Sequence, residues 1–444
     1  MAVLLRIIKA NWHLLYFGFS VVLIAFALGV AVARFQIFPY PILNAAWDAA
    51  NDWRLNWRTY LRERPDKMIE PARKPGDGVV LSASGRASPG VTFITGLFGE
   101  SQGMDLIDMD GRQLHAWRVS FNRTWPNASH LDEQPHDWDT PIHGALLYPN
   151  GDVVFNFSHY GMVKVDRCSN VLWKLPQPTH HSIYRDEDGN LWAPSRKAIL
   201  EPTDRLPKIT APFWEDLVVK ISDAGEILEQ FSILDVIYRS GQEGLLFPNG
   251  RSGPSHEQNY PNDNITHMND VEIFENSDTV DADIFENGDI MVSMRNLNLI
   301  VVIDPDTETI RWSRTGPYLR QHDPDFLPDG SILVFDNRMD NTNGAVFGGS
   351  RIIAMDPAAQ DVRVRYEGNG DDRFYTDIMG KHQRLPNRNV LITESQAGRA
   401  FEVTESREIV WEYINRWDED EVAWISEATR YPEEYAGFAE EPCQ

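Results

Sequence analysis

The chain has 444 residues, of which 42% are hydrophobic and 11% aromatic, and its formal net charge is −25 at pH 7. With 41 Lys and Arg against 66 Asp and Glu, the balance argues against a nucleic-acid partner, because phosphates would be repelled over most of the surface. The two cysteines, Cys168 and Cys443, show no CxxC or Cys/His spacing, so we expect no structural metal site. Because they are far apart in the sequence, we favour two free thiols over a disulfide.

The N-terminus contains a long apolar segment. Residues 14–33 carry no charge and would form about 30 Å of helix, enough to cross the hydrocarbon core of a bilayer. The segment is longer than the apolar part of most secretory signals, although Ala31-Val32-Ala33 resembles a cleavage site. We therefore favour a retained signal-anchor, with residues 1–34 comprising a cytoplasmic N-terminus and a transmembrane helix, and the rest exported.

Residues 35–84 are predicted to be a partly helical linker. Good helix formers run from Asp48 to Arg64, and the segment contains Trp47, Trp53 and Trp57. These tryptophans suit either a membrane interface, where amphipathic rings are favoured, or packing against the folded domain that follows.

A strand–turn–strand pattern then occurs six times. Its copies span 107–117, 165–175, 221–231, 303–313, 355–366 and 403–413. They start roughly 50–80 residues apart, a period typical of β-propeller blades. The sequence therefore predicts an all-β, six-bladed β-propeller over residues 85–415, followed by an acidic C-terminal tail, 416–444, on the outside of the final blade.

Between these outer hairpins lie inner hairpins with Asn-Gly or Asp-Gly turns, the strongest short hairpin signals. His143, His181 and His322 each stand eight residues before the glycine of such a turn. His382 stands six residues before Arg388, and His267 precedes a variant of the same element. Because the innermost strands of a propeller line its central channel, we expect these five histidines to converge at one mouth of the channel. A single histidine at a strand end is more often structural, but five in phase favour one functional site.

Arginines follow several of the inner hairpins. Arg295 ends one strand, while Arg338 and Arg399 come shortly after two others. A guanidinium offers paired donors to a tetrahedral oxyanion, and Arg338 is the best candidate for that role.

At these residues the chain resembles the bacterial arylsulfate sulfotransferase family. The resemblance covers roughly residues 85–415 and is strongest in THHSIYRDEDGNLWAP (179–194), THMNDVE (266–272), DIMVSMRNLNLIVVID (289–304) and LRQHDPDFLPDGSILVFDN (319–337). It implies a six-bladed propeller in the periplasm, held here to the inner membrane by a single-pass anchor. It also implies sulfuryl transfer from an aryl sulfate donor to a phenolic acceptor, without a nucleotide sulfate donor or other cofactor. The family's additional β-domain before the propeller has no counterpart here, so a dimer built through it is not assumed, and the oligomeric state is left open.

Carried over by motif, the family's catalytic residues correspond to His267, His322, Arg338 and His382. His382, in GKHQRLP, takes the position of the nucleophile, which would form a sulfohistidine. Sulfuryl transfer is similar to phosphoryl transfer, with charge on three equatorial oxygens that preorganised donors can stabilise. His267 or His322 would act as the general acid and base. We assign substrate binding to a second set: His143, His181, Asn269 and Arg295. No residue is assigned to a metal.

Two other functions remain open. A propeller that binds a protein or a glycan would use the histidines structurally. A metal-dependent propeller hydrolase would use them as ligands, since neutral imidazoles bind metals, but the only neighbouring polar pairs at ligand spacing are His322-Asp323 and Asn269-Asp270.

Overall fold

In this computed structural model, residues 12–440 and Cys443 are described, except 36, 207–208, 210, 248–263, 276–283, 341, 343, 360 and 370–372. The first part of the predicted cytoplasmic N-terminus, residues 1–11, lies outside the described residues. The chain divides into two compact units, Met1–Lys67 and Met68–Gln444.

Within its described residues the first unit contains two helices, α1 (Trp12–Phe35) and α2 (Tyr40–Tyr60). Within α1, Tyr16–Phe35 is long and apolar enough to cross a membrane. An anchor and a signal sequence share these properties. Helix α2 covers most of Asp48–Arg64, the part of the linker that is rich in good helix formers.

The second unit is a six-bladed β-propeller, as the repeats predict. Five sheets have four strands and one has five, and in every blade neighbouring strands are antiparallel. The blades are β3 (Val91–Phe98), β4 (Ser101–Ile107), β5 (Gln113–Arg118) with β27 (Ile425–Tyr431); β6 (Ile142–Leu147), β7 (Val153–Phe157), β8 (Gly161–Val165), β9 (Val171–Leu175); β10 (Tyr184–Arg185), β11 (Leu191–Ile199), β12 (Phe213–Ile221), β13 (Ile227–Ser232); β14 (Met268–Ile273), β15 (Ile290–Met294), β16 (Leu299–Asp304), β17 (Thr309–Thr315); β18 (His322–Phe326), β19 (Ile332–Asp336), β20 (Arg351–Met355), β21 (Val362–Glu367); and β22 (Lys381–Arg384), β23 (Val390–Glu394), β24 (Arg399–Val403), β25 (Ile409–Ile414) with β2 (Gly78–Ser82).

Shorter elements connect these sheets. A two-stranded ribbon joins β1 (Ile69–Pro71) to β26 (Glu421–Ala423). Two short helices, α3 (Phe121–Thr124) and α4 (Ile233–Arg239), lie in connections between blades. Single 3₁₀ segments occur at Asp137–Asp139, Glu243–Leu246, Arg295–Leu297, Ser395–Ala397 and Glu433–Glu440.

Large side chains fill the space between the blades. Phe335, Phe374 and Phe401 are fully buried in one such layer, and their rings meet edge to face with centroids 5.4–5.7 Å apart. Trp117 fills a second layer. The high aromatic content of the sequence is therefore used mainly in the packing of sheet on sheet.

Strands from both ends of the second unit close the ring of blades. This differs from the expectation that residues 416–444 form a tail on the outside of the final blade. The innermost strand of the first blade is β27, and β3 lies second. At the other end of the chain, β2 adds an outer strand to the last blade by pairing with β25. These two pairings complete the first and last blades with strands from opposite ends of the unit. Local sequence patterns could not reveal them, because each partner lies more than 300 residues away.

The tail beyond β27 packs on the first blade. The ring of Phe438, in the segment Glu433–Glu440, lies 5.7 Å from Trp117 and 5.2 Å from His115. Cys443 then forms a disulfide with Cys168, whose Cα lies 5.4 Å away in the turn between β8 and β9. The expectation of two free thiols is wrong, because the tail returns to the second blade.

We expect Cys443→Ser to lower the free energy of unfolding by about 2–4 kcal/mol, because the cross-link restricts the unfolded chain. The measurement is denaturant unfolding of the oxidised wild type and the variant, with the reduced wild type as the control. Equal stabilities of oxidised and reduced wild type would contradict a structural role for the bond.

Candidate functional site

The histidines predicted to converge all lie at the start of innermost strands. His322 is the first residue of β18, while His143 and His382 are the second residues of β6 and β22. His181 and His267 come just before β10 and β14, with φ of 58° and 49°. The registers differ between blades, because His322 pairs with Phe335, the fourth residue of β19, whereas His382 pairs with Ile392, the third residue of β23.

Four of the five rings form one buried cluster, which we call the histidine cluster. The centroid of His181 lies 4.4 Å from that of His143, 5.3 Å from His267 and 6.2 Å from His322. Gly144 (φ +87°) permits this approach, because a Cβ there would collide with the backbone carbonyl of His181.

Two further histidines belong to the cluster, and sequence analysis missed both. Nδ1 of His180 lies 2.8 Å from Nδ1 of His181. His159, which follows β7 with φ 69°, lies 4.5 Å from the ring of His180. The adjacent pair His180-His181 was the available signal for the first, whereas His159 has no counterpart in the other blades.

Arginine and amide groups fix two of the rings. Arg295 donates from Nη1 to Nε2 of His267 at 3.2 Å, so this nitrogen carries no proton. Nδ1 of His322 lies 2.7 Å from Oδ1 of Asn337, whose own amide nitrogen donates to the backbone carbonyls of Thr376 and Met379. His322 must therefore donate from Nδ1, which leaves the lone pair of its Nε2 available.

The histidine cluster is neutral near pH 7. Burial, reinforced by neighbouring charges, lowers the pKa of His322 and of His159 to about 3. The pKa values of His143, His180, His181 and His267 are lowered well below the ordinary range for the same reason. Burial also lowers the pKa of Arg295, but only to about 10, so its guanidinium keeps a positive charge beside neutral rings. A site of this kind is suited to an anion.

His382 lies in a second group, among carboxylates. Its Nδ1 is 2.9 Å from Oδ2 of Asp325 and 3.4 Å from Oδ2 of Asp323. Asp323 also accepts hydrogen bonds from Nζ of Lys381 at 2.6 Å and from the backbone N–H of His382 at 2.6 Å. Both ring nitrogens of His382 are buried, and neither makes a hydrogen bond of good geometry with the described residues, so Nδ1 meets Asp325 as an ion pair and Nε2 has no hydrogen-bond partner.

The carboxylates control the protonation of His382. Burial alone would lower its pKa, but the charges of Asp325 and Asp323 outweigh burial and raise the pKa to about 9. Burial likewise opposes ionisation of Asp323, yet Lys381 and His382 hold its pKa below the ordinary value. His382 is therefore the one ring of the five in-phase histidines whose pKa is raised.

The predicted site residues other than the histidines lie in several different surroundings. Arg295 belongs to the histidine cluster. Asn269 donates to the backbone carbonyl of Gln321 at 2.7 Å and has a buried Oδ1 without a hydrogen-bond partner. Arg338 does not reach the described rings of the cluster, since its guanidinium lies over the ring of Phe347 at 5.8 Å. Arg399, by contrast, is fully buried in ion pairs with Glu394 and Glu412, which is a structural role.

One group within the described residues has the donor set for a metal ion. Ligand atoms of Asp323, Asp325 and His382 lie within 4.8 Å of one another. Sequence analysis missed this group, because His382 lies almost 60 residues beyond the two aspartates. One oxygen of Asp323 is already bound by the Lys381 ammonium, so a metal would compete with that ion pair.

Fold and site together define a six-bladed propeller whose channel combines a neutral histidine cluster, a partly buried arginine and a histidine paired with carboxylates. A family model described as Arylsulfotransferase (ASST) matches residues 144–416. This match covers more than half of the chain, and the chain belongs to the arylsulfotransferase family. A search of curated proteins finds no match.

Two solved structures are similar to this chain at low identity. A protein of unknown function from Bacteroides caccae has a TM-score of 0.46 at 13% identity, covering 77% of this chain and 98% of that chain. Virginiamycin B lyase from Staphylococcus aureus has a TM-score of 0.35 at 14% identity, covering 66% and 85%. These likenesses are too distant to carry any function to this chain.

Proposed function

We propose that the protein transfers a sulfuryl group from an aryl sulfate ester to a phenol through a sulfohistidine at His382. Family membership supports the reaction class. The observation that carries the role of His382 is its ring geometry: Nδ1 lies 2.9 Å from Asp325, and the buried Nε2 has no hydrogen-bond partner. A carboxylate at Nδ1 orients the ring and leaves Nε2 as the attacking atom, the arrangement expected of an activated nucleophile.

In the first half-reaction, Nε2 of His382 attacks sulfur. The new N–S bond forms as the S–O bond to the aryl group breaks, and the electron pair of that bond remains on the phenolate oxygen, which is then protonated. In the second half-reaction, the oxygen of the acceptor phenol attacks sulfur, the N–S bond breaks, and its electron pair returns to Nε2. The acceptor proton passes to a base, so the enzyme ends in its starting state.

The histidine cluster suits the sulfate oxygens. Arg295 supplies the fixed positive charge, and the neutral rings of His181 and His267 lie beside it. A bound anion would raise the pKa values of these imidazoles, because an opposite charge favours the charged form. His322, whose Nε2 lone pair is available, would take up a proton in this way, donate it to the leaving phenolate and recover it from the acceptor.

Roles for His143, Asn269 and Arg338 are proposed on the family resemblance alone. Arg338 would need to turn from Phe347 to reach a sulfate. We therefore assign the main anion contact to Arg295, which already lies against the rings.

The test uses the full-length chain in detergent with 4-nitrophenyl sulfate, with and without phenol, in the presence of a chelator. Nitrophenolate release that increases with phenol supports sulfuryl transfer in two half-reactions. Release that is unaffected by phenol would indicate hydrolysis, and release abolished by the chelator would favour a metal-dependent hydrolase. No release from several aryl sulfates would favour a binding propeller.

The rate of the first half-reaction should depend on the proton of His382. Only a ring with unprotonated Nε2 can attack, so we expect kcat/KM for the donor to rise with pH up to the pKa of about 9 and to level off above it. Asp325→Asn removes the nearest negative charge, lowers the pKa of His382 and should move this rise to lower pH. A rise that stays in place in Asp325→Asn would contradict the pairing.

For location, we propose that α1 anchors the chain in the inner membrane with the propeller in the periplasm. The Cys168–Cys443 disulfide supports an oxidising compartment. Protease added to spheroplasts should then digest the propeller, and protection of the propeller would contradict this topology.

A further inference from the structure

The channel contains a second region, distinct from the histidine cluster. It is a cavity of about 1000 Å³ in the second unit. Its deep wall is formed by the middle of the innermost strands, one or more residues beyond the histidine positions. We call this region the acidic cavity.

Negative side chains dominate its deep wall. The five carboxylates there are Asp270, Glu272, Asp323, Asp325 and Glu427. Among the described lining residues at this depth, only Lys381 and His382 can carry a positive charge, and both already contact Asp323 or Asp325. Three arginines also line the cavity, Arg365 in β21, Arg384 at the end of β22 and Arg388 in the turn that follows it, together with Asp329 and Glu405.

Neutral donors hold the carboxylates that do not contact Lys381 or His382. Oε2 of Glu272 accepts from the backbone N–H of Phe326 at 2.9 Å. Oε2 of Glu427 accepts from that of Ala145 at 3.2 Å, and its Oε1 accepts from the hydroxyl of Thr429 at 3.2 Å. Burial raises the pKa of Asp270 to about 7 and raises that of Glu427, although the charge of Lys381 opposes this shift at both. Lys381 is therefore shared among several carboxylates, which leaves the group short of the counter-charge that buried carboxylates require.

Two further features point to a ligand. The first is Nε2 of His382, which is buried in the wall without a hydrogen-bond partner. The second is an apolar part of the same wall, formed by the side chains of Tyr184, Phe326 and Leu385. A ligand that fits all these features has an oxygen to approach His382, an aromatic ring to lie on the apolar wall, and a positive charge to face the carboxylates.

We propose that the acidic cavity is an acceptor subsite for phenols that carry a protonated amine. This inference rests on the proposed sulfuryl transfer. The inference adds the class of acceptor. The anionic sulfate would be held on the side of His382 that faces the histidine cluster, and the cationic acceptor on the side that faces the acidic cavity. The ammonium would donate to Glu272 and Glu427, while the phenolic oxygen faces sulfur on Nε2.

The experiment compares tyramine with tyrosol, two phenols that differ by an ammonium and a hydroxyl at the end of the same side chain. With 4-nitrophenyl sulfate as donor, we expect kcat/KM for tyramine to exceed that for tyrosol by about tenfold or more, the ratio of one well-formed charged hydrogen bond. In Glu427→Gln the ratio should fall toward one, because the loss falls on tyramine and not on tyrosol. Glu272→Gln is the second variant if the first does not fold. A wild-type ratio of one or below would overturn the proposal.

A binding measurement separates this inference from the proposed function. If no acceptor, including phenol, accelerates nitrophenolate release, the proposed reaction fails. Calorimetry then tests the cavity directly: tyramine that binds the wild type more tightly than tyrosol does, and loses this advantage in Glu427→Gln, still supports a cationic aryl site. Equal binding of tyramine and tyrosol would overturn it.

Discussion

Replacing His382 by asparagine should lower kcat for 4-nitrophenyl sulfate by about 10³-fold or more, because the variant lacks the ring nitrogen that forms the covalent intermediate. Asparagine is smaller than histidine and can still occupy the second position of β22. The same experiment gives a direct readout of the intermediate. Wild-type protein quenched with donor but without acceptor should carry one sulfo group on the peptide that contains His382, and the variant should carry none.

Two controls locate the nucleophile. His322→Asn should slow transfer but still label His382, because His322 is assigned to proton transfer. His136→Asn, outside the site, should behave as wild type, since asparagine also caps a helical turn well. A sulfo group found on His322 would move the nucleophile to the other ring with an available Nε2.

A chain that ends at Trp424 should fail to form the closed propeller. Removal of β27 deletes the innermost strand of the first blade, including the buried Ile425 and Ala428, and leaves β3 with an open edge. The truncation should remove most of the free energy of unfolding, which for an ordinary domain is about 5–15 kcal/mol. Circular dichroism during heating should show no cooperative transition, or one at much lower temperature.

The matched control ends at Pro432, which keeps β27 and removes the terminal segment that carries Tyr435, Phe438 and the disulfide. It should unfold cooperatively, with a stability lower by about 3–6 kcal/mol from the lost cross-link and one buried aromatic ring. Equal melting of the two truncated chains would show that β27 does not close the ring.

The repeats predicted the fold well because each blade is encoded locally. Hairpin turns such as Asp329-Gly330 and alternating apolar strands specify a blade without reference to distant residues. Closure of the ring is different in kind. The pairing of Ile425–Tyr431 with Val91–Phe98 depends on two segments that have no shared pattern, so local analysis placed the first in a tail.

The arrangement of the histidines was likewise predicted in part from the sequence. Their shared phase predicted that His143, His181, His267 and His322 would meet, and the structure places these rings in one cluster. It did not predict the surroundings of His382, because Asp325 reaches its Nδ1 from the neighbouring blade. Nor did it predict that Arg338 would turn toward Phe347, since side-chain direction after a strand depends on the local fold.

Closure by both ends also fixes an order of events during synthesis. Strands β3, β4 and β5 are among the first of the propeller to be made, yet their blade is completed only when β27, the last strand, emerges. Until then the first blade presents an unpaired edge at β3. A polypeptide released early would keep this edge exposed to proteases, so the fold itself distinguishes complete chains from incomplete ones.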